Sequence, residues 1–182
     1  MSSFTAYKKD MAHTYILGAF PTIEALEMTP ELFLHVYIHP DYYESDALIT
    51  RLKEKNIPYD ISGRSIRRLA KKDNTLVVGV VKKELPPVTD DHHVVLENIS
   101  NMGNLGTIIR TMVGMGVTNL VTVGNVADIY HPNTIRASMG AFFKINHSHF
   151  ETMKAYQQAF AINRKSYFFL LNEQTVRLNH VE

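Results

Sequence analysis

The chain has 182 residues, of which 45% are hydrophobic and 20% charged, and its formal net charge is +1. This composition is typical of a globular protein, and it excludes a uniformly basic surface, so any basic patch must be local. The absence of cysteine excludes disulfides, a thiol nucleophile and a cysteine-based zinc site. No hydrophobic run has the length of a membrane span, and residues 1–10 lack the apolar segment of a signal peptide, so we expect a cytoplasmic protein with no membrane partner.

The first half of the sequence predicts a small α/β unit. Hydrophobic spacing and the positions of proline and glycine predict helices over 4–15, 21–28 and 43–55. Alternating or continuous apolar runs predict strands over 34–38, 58–61 and 75–81. The last of these, TLVVGVV, is apolar enough to lie in the middle of a sheet.

A basic segment, RSIRRLAKK, precedes that last strand. In a helix its apolar residues would face inward and its cations outward, and the cations are Arg64, Arg67, Arg68, Lys71 and Lys72. Such a run can be an ordinary solvated face, because lysine and arginine are common on exposed helices. The run contains no acidic residue, which favours contact with a nucleic-acid backbone.

The segment LPPVTDD, residues 85–91, separates the two halves of the chain. Its two prolines cannot continue a helix, and the composition turns acidic after them. We therefore predict domains over 1–84 and 92–182, joined by a linker over 85–91.

The second half alternates strand and helix, which predicts a parallel sheet. We expect strands over 94–97, 119–123, 141–145 and 167–171, with helices starting at residue 104 and covering 151–162. Ligands of such sheets bind beyond the carboxyl ends of the strands, where the loops 98–106 and 124–125 would both emerge. The histidines of this half have no carboxylate or thiol at ligand spacing, so we predict no metal site.

The stretch NISNMGNLGTIIR carries the first candidate site. In a helix, Gly103, Gly106 and Arg110 share a face distinct from the apolar stripe that begins at Leu105. Two interpretations are open: the glycines admit a phosphate-bearing ligand or a second backbone, or they serve only turns and packing while Arg110 is solvated. The G-x-G-x-x-G fingerprint is absent, which disfavours a nicotinamide-dependent oxidoreductase.

A second candidate site is the stretch YHPNTIRASMG. Pro132 suits the first turn of a helix, and Gly140 suits the left-handed position just past its end. Arg136 and Ser138 then lie near that end. Taken alone, the stretch could also be a short connecting helix.

Together the two stretches carry a family resemblance. The pattern Asn101-x-Gly103-Asn-x-Gly106-x-x-x-Arg110, followed by Asn133-x-x-Arg136-Ala-Ser138-Met-Gly140, resembles the first two signature motifs of the SpoU (TrmH-type) RNA ribose 2′-O-methyltransferases. These enzymes belong to the SPOUT superfamily, whose methyltransferase domain has a knotted parallel sheet. In the first half, the segment from Tyr15 to Phe20 and the stretch from Lys72 to Val80 resemble the ribosomal-protein-like substrate-binding domain that often precedes the SpoU domain.

The resemblance implies methyl transfer from S-adenosylmethionine to a ribose hydroxyl of rRNA or tRNA, by a homodimer. It implies catalytic roles for Asn101 and Arg110 and RNA contacts for Arg136 and Ser138, beside those of the basic segment. A guanidinium titrates far above neutral pH, so we expect Arg110 to bind a phosphate rather than to act as a base.

The family's third motif, a glycine-rich G-x-E-x-G turn followed by a Ser-Leu-Asn helix start, has no match in this sequence. In the family this motif closes the knot and builds much of the cofactor pocket. We therefore expect a SPOUT-type domain without its knot-closing segment, with cofactor-binding residues that the sequence does not identify. The alternative is a non-catalytic RNA-binding protein that retains the scaffold.

Overall fold

The computed structural model describes residues 4–70, 74–160 and 164–169, and these form an α/β protein with two sheets. In the first half the regular elements are β1 (His13–Leu17), α1 (Ala19–Met28), β2 (Phe33–Ile38), α2 (Ser45–Glu54), β3 (Tyr59–Ile61), α3 (Gly63–Leu69) and β4 (Val77–Lys82). In the second half they are β5 (His93–Glu97), α4 (Met102–Gly114), β6 (Asn119–Val123), α5 (Pro132–Ala137), β7 (Asn146–Phe150) and α6 (Met153–Phe160). The fold class predicted from the sequence is confirmed.

The first sheet has the strand order β1-β4-β2-β3. Strand β4 pairs antiparallel with both β1 and β2, whereas β2 and β3 are parallel. The prediction that this apolar strand lies inside the sheet is therefore confirmed. Helices α1 and α2 bury Leu26 and Leu52 on one face of the sheet. Helix α3 buries Ile66 and Leu69 against Tyr15 and Tyr37 on the other.

Three predicted elements are wrong in the described residues. The predicted helix over 4–15 does not form: 4–12 are irregular and 13–17 are strand β1, whose two-residue alternation is hidden because both faces of HTYIL are buried. The segment Ala141–Lys144 is a 3-10 turn, and the strand begins only at Asn146. Phe142 and Phe143 are both buried in this turn, so their burial gives the segment an apolar pattern that resembles a strand. Of the predicted strand 167–171, residues 167–169 form no strand, and the rest lies outside the described residues.

The second sheet is parallel, as predicted, and its strand order is β5-β6-β7. Helix α4 crosses from β5 to β6 and packs Leu105 and Ile109 on the face that contains Leu120. Helix α6 covers the opposite face with Tyr156, near Val121. The carboxyl ends of the three strands consequently lie along one edge.

The two sheets share one buried core. It includes Ile16 and Leu26 from the first half and Leu105, Ile135 and Phe142 from the second. In the linker, Val88 is buried and donates its backbone N–H to Ser148 Oγ at 3.2 Å. Among the described residues, no helix is long and apolar enough to cross a membrane.

Candidate functional site

The loops that follow β5 and β6 meet at the carboxyl edge of the second sheet. Asn98, just after β5, has a positive φ of 52°, and its Oδ1 accepts the backbone N–H of Asn125 at 3.0 Å. Gly124, just after β6, has a φ of 71° and donates its N–H to the carbonyl of Phe150 at 2.9 Å. The predicted convergence of the two loops is confirmed.

Asn101 begins helix α4 as its N-cap. Its Oδ1 accepts the backbone N–H of Asn104 at 2.9 Å, which satisfies a donor that the helix itself leaves unpaired. This contact gives Asn101 a structural role, and its predicted catalytic role stays a prediction. The amide of Asn104 is exposed in the first turn of the same helix. Asn104 is an asparagine of the first motif to which the sequence assigned no role, although the three-residue spacing of the two asparagines is that of a cap and its target.

Gly106 is the contact point between α4 and α5. A Cβ at this position would lie 2.5 Å from both Ala137 Cβ and the carbonyl oxygen of Thr134, and 3.0 Å from the backbone nitrogen of Ser138. Gly106 therefore admits a second backbone, and its role is helix packing, as the second of the two interpretations has it. That these glycines admit a phosphate-bearing ligand stays a prediction. Gly103 is exposed, and a Cβ there would meet only Asn101 Oδ1, at 3.2 Å.

Arg110 and Arg136 lie on these two packed helices. Ile109 and Ile135 belong to the same buried core, so both helices lie on one side of the second sheet. Arg110 is exposed and Arg136 half-buried, and within the described parts of the chain neither guanidinium has a hydrogen-bond or ion-pair partner. As far as the described residues show, both cations are thus available to an external anion.

Ser138 does not fit its predicted role as an RNA contact. Its side chain is fully buried, donates to the carbonyl of Ile135 at 2.7 Å and accepts the N–H of Phe142 at 3.2 Å. Both bonds fasten the end of α5 to the turn that follows. Gly140 has a φ of 88°, as predicted for the left-handed position, and faces Glu24 of α1.

Asp128 organises the start of α5 and connects it to the first half. Its Oδ1 accepts the N–H of Tyr130 at 3.0 Å, and its carbonyl accepts the hydroxyl of Thr134 at 3.0 Å. Its Oδ2 accepts the hydroxyl of Tyr7, and burial together with this carboxylate raises the pKa of Tyr7 far above its usual value. No sequence pattern joins two residues so far apart, so the sequence does not predict this contact.

The basic segment forms helix α3 as far as Leu69. Arg64, Arg67 and Arg68 are exposed on it, as predicted, whereas Lys71 and Lys72 lie outside the described residues. Because α3 packs on the face of the first sheet opposite α1, the structure does not bring these cations together with Arg110 and Arg136.

Two histidines of β7 share one hydroxyl. His147 Nε2 lies 2.9 Å and His149 Nδ1 3.1 Å from Oγ1 of Thr122. Burial, helped by the neighbouring His149, lowers the pKa of His147 to about 4. No group of three or more side chains in the part of the chain that the structure describes is placed to hold a metal ion.

Comparison with known proteins decides the family. The sequence profile of the SpoU rRNA Methylase family matches residues 91–181 of the 182, which is half of the chain. The chain belongs to the SpoU rRNA Methylase family. The match covers both candidate stretches and continues into residues that lie outside the described part.

Two relatives resemble the chain in sequence. The mouse mitochondrial rRNA methyltransferase 3 is 32% identical over 79 residues, which are 38% of this chain and 19% of the relative. The 23S rRNA (uridine(2479)-2′-O)-methyltransferase of Streptomyces viridochromogenes is 35% identical over 60 residues, 32% of this chain and 21% of the relative. The matched segments span about a fifth of the length of these relatives.

Solved structures show the fold. An AdoMet-bound rRNA methyltransferase from Sinorhizobium meliloti superposes with a TM-score of 0.67 at 22% identity, over 81% of this chain and 57% of that chain. The SpoU methyltransferase AviRb from Streptomyces viridochromogenes, in complex with AdoMet, gives a TM-score of 0.67 at 19% identity, over 81% and 58% of the two chains. The described residues therefore have the SpoU fold, while the expected lack of a knot-closing segment concerns residues beyond them and stays a prediction.

Proposed function

We propose that the chain transfers a methyl group from S-adenosylmethionine to a ribose 2′-hydroxyl of rRNA or tRNA, as a homodimer in the cytoplasm. The observation that carries this proposal is the contact through Gly106, which packs the helices of Arg110 and Arg136 together on one face of a parallel sheet. Membership of the SpoU family supports it. The names of the relatives, both rRNA methyltransferases, agree with methyl transfer to rRNA.

The chemistry of the edge suits RNA and an adenosyl ligand. S-adenosylmethionine supplies an electrophilic methyl group on a sulfonium sulfur. The exposed amide of Asn125 follows Gly124, whose φ is positive, and the exposed amide of Asn104 lies in the first turn of α4. We infer that both amides meet the polar parts of such a ligand. Arg110 stays charged at neutral pH, so it binds a phosphate of the RNA and orients the ribose instead of removing its proton. Positioning of this kind can supply a large part of a rate enhancement.

Two measurements on one preparation test the proposal. Calorimetric titration with S-adenosylhomocysteine should give saturable binding, and incubation with labelled S-adenosylmethionine and rRNA should give labelled RNA. Arg110→Ala should abolish transfer while leaving the fold and the affinity for S-adenosylhomocysteine nearly intact. The matched control is Arg51→Ala, which removes an exposed arginine of helix α2, on the first sheet, whose partner is Glu27. An inactive control, or an active Arg110→Ala protein, would contradict the role of Arg110.

The alternative of a non-catalytic RNA-binding protein makes the opposite prediction for the first measurement. It requires RNA binding without any affinity for S-adenosylhomocysteine. The comparisons give it no support, since the relatives are named as methyltransferases. Absence of calorimetric heat at millimolar ligand would nevertheless favour it over the enzyme.

The basic face of α3 is proposed as a second, separate RNA-binding surface. Changing Arg67 and Arg68 to Glu should weaken RNA binding and lower the slope of log affinity against log salt by roughly 1.5, about 0.7–0.9 for each phosphate that is no longer neutralised. Lys53→Glu/Lys154→Glu is the control, because it changes the net charge equally at exposed positions on other helices. An equal weakening in both double variants would mean a general charge effect and would remove α3 from the interface.

A further inference from the structure

Asn98 adopts a backbone conformation that asparagine tolerates but does not prefer. Its φ is 52°, and among the described non-glycine residues only Asn56 and Met139 also have a positive φ. The left-handed region costs a residue with a side chain roughly 1 kcal/mol. Such outliers persist where the surrounding structure fixes them, and they concentrate at functional sites.

The contacts of Asn98 tie two strand ends together. Its backbone N–H donates to the carbonyl of Val123 at 3.0 Å, and its Oδ1 accepts the N–H of Asn125 at 3.0 Å. The side chain lies in space that only a glycine leaves free, since a Cβ on Gly124 would be 2.6 Å from Oδ1. Asn98 and Gly124 therefore fit each other as a pair.

The connection continues to helix α5. The carbonyl of Ile99 accepts the N–H of Ala127 at 2.6 Å, and the next residue, Asp128, holds the first turn of α5 through Thr134. The loop that starts at Asn98 thus fixes the loop that leads to the helix of Arg136. On its own other side, the Asn98 loop leads directly into α4.

Global stability does not explain this arrangement. Asn98 and Asn125 are both exposed, and a hydrogen bond between exposed groups contributes only about 0.5–1.5 kcal/mol. The cost of the positive φ offsets most of that gain. The contact instead fixes the position of the loop after β5 relative to the loop after β6.

We propose that Asn98 is a positioning residue, whose amide oxygen holds residues 124–128 and helix α5 in register with helix α4, which carries Asn104 and Arg110. This inference rests on the proposed function for its consequence, which is a correct spacing of the RNA-binding groups around the target ribose. Small displacements at a reacting centre are costly, up to about a hundredfold in rate for 1 Å.

Three variants test the proposal. Asn98→Gly keeps the positive φ without strain and removes the amide oxygen, whereas Asn98→Asp keeps an acceptor at the same place. Asn56→Gly is the matched control, because Asn56 has a φ of 55° and is located at the end of α2, away from the edge. Each protein is assayed for methyl transfer to rRNA and for amide hydrogen exchange over residues 124–137.

We expect Asn98→Gly to speed exchange at Asn125 and Ala127 about tenfold, since local opening then needs less free energy. It should lower kcat about tenfold while changing the KM for RNA less than twofold. Asn98→Asp should restore both quantities to within threefold of the parent, and Asn56→Gly should change neither. Unchanged exchange and kcat in Asn98→Gly, or a failure of Asn98→Asp to restore them, would overturn the proposal.

Amide hydrogen exchange also tests the positioning role of Asn98 if the parent protein shows no methyl transfer. In that case the proposed function fails, and Asn98→Gly must still give faster exchange over residues 124–137 than Asn56→Gly. Exchange equal to that of the parent would then remove the positioning role as well.

Discussion

Gly106→Ala should destabilise the protein, although alanine is the better helix former. Gly106 lies inside α4, where replacement of glycine by alanine would by itself stabilise the helix by about 1 kcal/mol. The new Cβ would lie 2.5 Å from Ala137 Cβ and 2.5 Å from the carbonyl oxygen of Thr134. Non-bonded carbon atoms prefer a separation of about 3.5–4.0 Å, so α5 must move outward by roughly 1 Å.

The loss of stability in Gly106→Ala depends on whether the clashing atoms belong to side chains or to the backbone. Overpacking of a well-packed core typically costs about 1–3 kcal/mol, and the upper end applies here because the Thr134 oxygen belongs to the backbone. Subtraction of the helix-propensity gain leaves a net loss of about 2 kcal/mol. For a protein of this size, such a loss lowers Tm by about 4–8 °C.

Gly114→Ala is the control on the same helix. Nothing lies within 4 Å of a Cβ at Gly114, so this variant should be neutral or more stable by up to about 1 kcal/mol. Denaturant titration of the two variants and the parent, with midpoints and slopes compared, measures both values. A Gly106→Ala protein as stable as Gly114→Ala would refute the view that α4 and α5 meet backbone to backbone.

Three further outcomes follow from single contacts. Burial lowers the pKa of His147 to about 4 in the folded protein, against 6.5 ordinarily, so the unfolded chain takes up a proton first as the pH falls. The free energy of unfolding should therefore decline by up to about 3 kcal/mol between pH 6.5 and 4. Urea titrations at several pH values measure this decline, and His147→Gln should make it smaller. Asn101→Ala removes the cap of α4 and should cost about 1 kcal/mol of unfolding free energy, whereas Asn101→Asp should cost less than half of that. Tyr7→Phe removes the hydroxyl that donates to Asp128 Oδ2 and should cost about 1–2 kcal/mol of unfolding free energy. The hydroxyl of Tyr42 bonds locally to the exposed Glu44, so Tyr42→Phe should change the unfolding free energy by less than about 0.5 kcal/mol.

The parallel sheet and the convergence of its loops are predictable from the sequence because both depend on local order. Strand β6 is five buried residues, and its short apolar run, bounded by a turn on each side, is a strong strand signal. The left-handed Gly140 and the proline at the start of α5 are predictable for the same reason, since each reflects the conformational range of one residue.

Contacts between distant residues are not predictable in this way. Strand β1 resembles the end of a helix in sequence because Tyr15 and Ile16 are both fully buried, so only its pairing with β4 shows it to be a strand. The predicted RNA contact of Ser138 is wrong because burial of a hydroxyl has no local signature. The Tyr7–Asp128 contact, which joins the two halves, depends on the packing of the completed fold.

Alkaline digestion of rRNA treated with the protein and labelled S-adenosylmethionine tests the central claim most directly. A 2′-O-methyl group blocks cleavage at its own phosphodiester, so ribose methylation leaves the label in an alkali-resistant dinucleotide. We predict labelled dinucleotide with the parent protein and none with Arg110→Ala. Label recovered only in mononucleotides, or no label despite bound S-adenosylhomocysteine, would contradict ribose 2′-O-methylation by this chain.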